Sequence, residues 1–96
     1  MKYSFAPHAE KELEDTEKYY DSIGEELGNR FRHEIEMTIS RILKFPQGWQ
    51  PLSNVVRRCR VNHFPYGLIY RVKSDDIRIL AVMHLHREPK YWSDRT

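Results

Sequence analysis

The sequence predicts an α+β domain: an N-terminal strand and an antiparallel two-helix hairpin packed on one face of a small, mostly antiparallel sheet, in the order β-α-α-β-β-β. Three observations carry this. Residues 66–73 and 77–86 read as two strands joined by a short polar turn, two apolar stripes of helical period fill positions 9–42, and strands and helices are segregated along the chain instead of alternating.

Tyr3 and Phe5 alternate with Lys2 and Ser4, the period of a short first strand. Pro7 follows where a helix would begin, a position at which its missing N–H costs nothing. Ala9, Leu13, Thr16, Tyr20 and Ile23 then recur at steps of four and three among Glu, Lys and Asp, an amphipathic helix that Gly24 ends. Leu27, Phe31, Ile35, Thr38 or Ile39, and Ile42 repeat the spacing in a second helix, closed by Pro46 after Phe45. So short a connection forces the helices antiparallel, and neither stripe can be buried by the other alone. Residues 46–54 hold two prolines and a glycine and read as a loop whose Trp49 plugs one end of the core.

A strand over 55–61 places Val55, Arg57, Cys59 and Val61 on one side and Val56, Arg58 and Arg60 on the other, and residues 62–65 turn into the final hairpin. In its first strand Tyr66, Leu68, Tyr70 and Val72 share a face, with Gly67, Ile69, Arg71 and Lys73 opposite. Strict alternation through the second gathers Ile77, Ile79, Ala81, Met83 and Leu85 on the face the helices should cover, and Arg78, Leu80, Val82, His84 and His86 on the other. Apolar residues on both faces through its middle mark this strand as central. On this alternation Arg58, Arg60, Arg71, Lys73, His84 and His86 leave the sheet together from a partly open, cationic second face. A short C-terminal piece follows Pro89.

A chain of 96 residues is expected to form a single domain, 1–96, with one core. Its composition, 40% hydrophobic and 31% charged with mean hydropathy −0.76, is that of a soluble protein. No charged leader with an apolar run opens the chain and nothing approaches a membrane span, so the expected location is the cytoplasm. Cys59 is the single cysteine and cannot form an internal disulfide. Net charge is only +2, yet most acids lie between residues 9 and 36 while Arg57, Arg58, Arg60, Arg71, Lys73, Arg78, Arg87, Lys90 and Arg95 crowd the second half. An anionic ligand or an acidic protein partner is the natural reader of such a surface.

No Gly-rich phosphate loop, nucleophile elbow or His-Glu-x-x-His motif is present. His84 and His86 are spaced for a shared metal, but nothing nearby in sequence supplies the other ligands, so no metal and no cofactor is expected. Cys59 sits among arginines without a base to activate it. Metal-free cleavage of RNA through its own 2′-hydroxyl needs a base, cations for the phosphate and an acid for the leaving oxygen; His84 or His86, Arg58 with Arg87, and Tyr91 are the residue types for it. The simpler alternative has solvated or paired arginines, with Tyr91 and Trp92 anchoring the tail to the core.

Phe64-Pro-Tyr-Gly-Leu-Ile-Tyr-Arg71 and His84-x-His-Arg-Glu-Pro-x-Tyr-Trp-x-x-Arg95, preceded by helices bearing Tyr19-Tyr20 and Arg30-Phe31, resemble the RelE/ParE superfamily of toxins from type II toxin–antitoxin modules, the plasmid stabilisation proteins, over essentially the whole chain. The resemblance implies a growth-inhibiting toxin of RelE/ParE-like fold, neutralised by a cognate antitoxin whose flexible segment folds as it wraps the toxin. RelE-like members cut mRNA on the ribosome, usually with an arginine ahead of the aliphatic pair leading into the tyrosine; that slot, before Leu68-Ile69-Tyr70, is Gly67 here. ParE-like members instead poison DNA gyrase without that catalytic set, and the departure at Gly67 and the modest charge favour this branch. The expected binding residues are Arg58, Arg60, Arg71, Lys73, His84, His86 and Arg87. The alternatives are a ribosome-dependent mRNA endonuclease using Arg58, His84, His86, Arg87 and Tyr91, and an inactive toxin-like binding protein.

Overall fold

The computed structural model describes residues 1–86 and 91–95. Strand β1 (Lys2–Phe5) leads into helices α1 (Pro7–Ile23) and α2 (Glu25–Lys44), followed by β2 (Gln50–Pro51), β3 (Val56–Arg60), β4 (Tyr66–Lys73), β5 (Asp76–His84) and a 3₁₀ turn, Ser93–Arg95. The five strands form one sheet in the order β1-β5-β4-β3-β2, with β1 parallel to β5 and every other pair antiparallel. The helical hairpin carries the chain from β1 to β2 at the opposite edge, so β1 and β5 are joined by no tight turn and are free to pair in parallel. Among the described residues no helix is long and apolar enough to cross a membrane.

Pro7 is the first residue of α1, and Gly24 alone separates the helices. Its N–H donates to the Tyr20 carbonyl at 3.1 Å, and its own carbonyl accepts from the Gly28 N–H at 3.1 Å, so one residue closes α1 and starts α2. Ala9, Thr16 and Tyr20 of α1 and Phe31, Ile35, Thr38, Ile39 and Ile42 of α2 are buried, as the stripes require, whereas Ile23 at the tip is 58% exposed. Tyr20, Phe31 and Phe64 meet at ring centroid distances of 4.9–5.1 Å, edge-on or tilted, and couple the hairpin to the turn before β4. Trp49 is half-buried against this core and donates its Nε1–H to the Arg41 carbonyl at 3.1 Å, closing off the end of α2. The short β2 lies in the predicted loop; Pro51 is tolerated there because β2 is an edge strand.

The expected alternation fails at one residue. Ile69 pairs with Ala81 but Tyr70 pairs with Ile79, so Leu80 is an extra residue in β5, a β-bulge. Ile77 and Ile79 therefore face the helices with Val82, in a core shared with Cys59, Leu68 and Tyr70. Leu80, Ala81 and Met83 are buried on the far side with Val56, Ile69 and Trp92. Ala81 and Met83 thus do not lie under the helices. The physical reason is that one inserted residue changes the phase of everything beyond it in a strand whose side chains repeat every second position.

Candidate functional site

The register sets out the far face row by row. Arg60 lies beside Gly67 and Met83, Arg58 beside Ile69 and Ala81, and Val56 beside Arg71 and Arg78, with Lys73 opposite Asp76 at the hairpin turn. Arg58, Arg60, Arg71 and Lys73 therefore share one face, joined by Arg78, whose Nη1–H donates to Ser4 Oγ at 3.1 Å. Arg60 and Lys73 are exposed, and Arg58 and Arg71 half-buried. The cations do not form a continuous sheet of charge. They rim an apolar centre of Val56, Ile69, Leu80, Ala81 and Met83, and Trp92, 5% exposed, lies on that centre. The second face, expected to be partly open, is covered at its middle, and the anchoring role of Trp92 is the one observed.

His84 and His86 do not join this face. Beyond the bulge His84 takes the same phase as Val82 and turns towards α1, where its ring meets Tyr66 at 5.0 Å and lines a cleft of about 220 Å³ with Glu12, Asp15, Thr16, Val82 and Tyr91. His84 Nδ1 accepts from the His86 backbone N–H at 3.2 Å and the two rings lie 5.3 Å apart. That bond occupies the Nδ1 lone pair, which leaves Nε2 as the nitrogen that carries the proton in neutral His84. Among the described residues no three of His, Cys, Asp and Glu converge in a way that could hold a metal. The constellation for RNA cleavage is accordingly split: His84 and Tyr91 share the α1 cleft, Arg58 belongs to the opposite face, and Arg87 lies outside the described residues.

Gly67 explains where a slot arginine would have had to go. A Cβ there would sit 3.2 and 3.3 Å from Cγ and Cδ of Arg58 and 3.5 Å from Cδ2 of Leu85. The aliphatic stem of Arg58 thus crosses the space that a side chain at 67 would use, and its Nη2–H donates to Gln50 Oε1 on the edge strand. Cys59, one residue on, faces the helical core, and burial pushes its thiol up, opposite to what an activated nucleophile needs.

A further pair was invisible in the sequence. β1 ends at Phe5, and beyond the bond from the Ala6 N–H to the Ile79 carbonyl no strand pairs with that edge of β5 among the described residues. Glu12 of α1 and Arg95 of the 3₁₀ turn complete it. Glu12 Oε1 accepts from the Val82 N–H at 3.0 Å, Arg95 Nη1–H donates to the Leu80 carbonyl at 3.0 Å, and the two side chains pair at 3.0 and 3.2 Å. Both are largely shielded, and the guanidinium also stacks on the Tyr91 ring at 5.0 Å. An unpaired buried backbone group is costly, which accounts for a shielded carboxylate and guanidinium here. Eighty-three positions separate the partners, and no local pattern announces them.

Comparison with curated protein sequences gives no match. Among solved structures, one described as a chromosomal ParDE TA system from P. aeruginosa superposes with a TM-score of 0.76 over 90% of this chain and 97% of that one, at 23% identity, a likeness of fold. Residues 3–89, from β1 through both helices and all five strands, match the family described as the ParE toxin of the type II toxin-antitoxin system, parDE. The helical hairpin, the sheet order and that match over most of the chain together place it: the protein belongs to the ParE toxin family.

Proposed function

We propose that the protein is the toxin of a type II toxin–antitoxin module that halts growth by binding a DNA topoisomerase, gyrase, and is neutralised by a cognate antitoxin. The observation that carries this reading is the separation of the groups an RNA-cleaving site would need: Arg58 stands on the far face and His84 in the α1 cleft, while the Gly67 slot is filled by the Arg58 stem. What remains coherent is a cationic rim, Arg58, Arg60, Arg71, Lys73 and Arg78, around a centre that Trp92 covers. A rim of this kind suits a protein partner that presents acidic groups. Family membership supports the same reading.

Two assays on the purified protein test it. Addition to gyrase and relaxed plasmid should block supercoiling or trap cleaved DNA, while mRNA on translating ribosomes stays intact. Cleavage of ribosome-bound mRNA with gyrase unaffected would overturn it in favour of the nuclease, and activity in neither assay would leave an inactive binding protein.

A further inference from the structure

The outward side of α2 carries a second line of residues, which the fold leaves uncovered. Glu26, Arg30, His33, Met37, Ser40 and Lys44 follow one another at steps of 4, 3, 4, 3 and 4, the spacing along which one helix meets another, and all six are exposed. Their side chains make no hydrogen bond or ion pair among the described residues. Apolar groups extend the line at both ends. Ile23, 58% exposed, borders the same hollow as Glu26 and Arg30, and Phe45, 57% exposed, lies beside Lys44, whose Nζ stands 5.8 Å from the ring centre. Met37 adds an exposed apolar side chain near the middle. The charges are ordered as well, with Glu25 and Glu26 in the first turn of α2 and Arg41 and Lys44 in the last.

This line is symmetric in spacing and opposite in charge. Glu26 and Lys44, Arg30 and Ser40, and His33 and Met37 each lie equally far on either side of Ile35. We propose that two copies of the chain associate through it, α2 against α2, antiparallel about a twofold axis level with Ile35. Glu26 of one copy then meets Lys44 of the other, Arg30 meets the Ser40 hydroxyl and His33 packs on Met37, each contact made twice. Ile23 falls within a turn of the other copy's Phe45, so the exposed apolar groups at the two ends cover one another. A parallel pairing sets Glu26 on Glu26 and Lys44 on Lys44, like charge on like, whereas the antiparallel one joins opposite helix ends. Only a second copy brings this order of charges reversed and in register. A helix of 20 residues is about 30 Å long, and a seam of that length buries ~1,000 Å² in total, the low end of specific interfaces, so the pair is reversible. Because α2 and the cationic rim lie on opposite sides of the sheet, both rims stay uncovered and the pair offers a partner two binding faces.

Sedimentation equilibrium of the purified protein between about 5 and about 500 µM should show the mass rising from the 11.6 kDa monomer towards twice that value. Glu26→Lys and Lys44→Glu change the net charge in opposite directions, yet each sets like charges together and should weaken association at least about tenfold. The two changes combined restore opposite pairs and should return association to within about threefold of the parent. Circular dichroism on the same samples checks that each variant is folded. The register has its own test, which decides alone if a charge variant does not fold. His33→Cys and Met37→Cys, purified separately and mixed under mild oxidation, should crosslink to each other at least about fivefold more than to themselves; Cys59 is buried and takes no part. A protein still monomeric at about 500 µM, a dimer that neither charge variant weakens, a folded combined variant no tighter than either single one, or cysteines that link to their own kind as readily as to each other overturns the pairing. None of these readouts involves gyrase or mRNA, so the pairing and the topoisomerase reading fail separately.

Discussion

Tyr70→Phe tests how β4 is tied to the loop after α2, and its effect should reverse with pH. Tyr70 is fully buried on the helical side of the sheet, and its hydroxyl donates to the Pro46 carbonyl at 2.7 Å. Burial pushes the phenol up from 10.0 to about 12; the neighbouring Cys59 acts in the same direction and Arg57 against it. At pH 8 the substitution keeps the ring and loses one hydrogen bond, a cost of about 1–1.5 kcal/mol. Between pH 10 and pH 12 the unfolded chain has released this proton and the folded chain has not. The unfolded state then binds fewer protons, so stability falls as pH rises. A two-unit difference corresponds to about 2.7 kcal/mol in all, of which about 1.4 is lost by pH 11. Burial also raises Tyr20 and Cys59, with the same sign; Tyr20 titrates in both proteins and drops out of the comparison, as does Cys59 apart from its coupling to the Tyr70 phenol. Urea unfolding followed by circular dichroism should therefore find the parent more stable at pH 8 and the two proteins nearly equal close to pH 11. A difference that stays constant from pH 8 to pH 11 refutes the buried, hydrogen-bonded phenol as the source of alkaline sensitivity.

Three further expectations concern the two faces. Arg60→Glu with Lys73→Glu alters exposed side chains, so folding stability should change by less than about 0.5 kcal/mol while affinity for the antitoxin, measured by calorimetry, drops at least about tenfold; unchanged affinity would remove the rim from the docking surface. His84→Ala with His86→Ala should leave growth arrest intact on induction, and loss of arrest from a folded double variant would return activity to the α1 cleft. Gly67→Arg should cost about 1–3 kcal/mol in a thermal melt, because its Cβ meets the Arg58 stem, and should not create ribosome-dependent mRNA cleavage, since His84 stays on the opposite side of the sheet.

Where periodicity is unbroken, the fold was legible. The apolar stripes of α1 and α2 mark the buried helix faces, the alternation of residues 66–73 matches β4 at both ends, and Arg58, Arg60, Arg71 and Lys73 share a face because no bulge interrupts their strands. The shared face of those four cations was legible for the same reason. Histidines 84 and 86 were misplaced because Leu80, an ordinary apolar residue in an apolar strand, carries no sign that it is unpaired. β2 was missed because a two-residue edge strand containing proline has too little pattern to stand out from a loop.

Local chemistry alone determined the elements, their order, the helical hairpin and the clustering of cations late in the chain, since each rests on neighbours within a few residues. Only tertiary structure decided the parallel seating of β1 on β5, the phase change at Leu80 and the closure of the far face by Trp92 and the Glu12–Arg95 clasp. Those depend on which backbone groups find no strand partner once the sheet is assembled, a quantity that does not exist until distant segments meet.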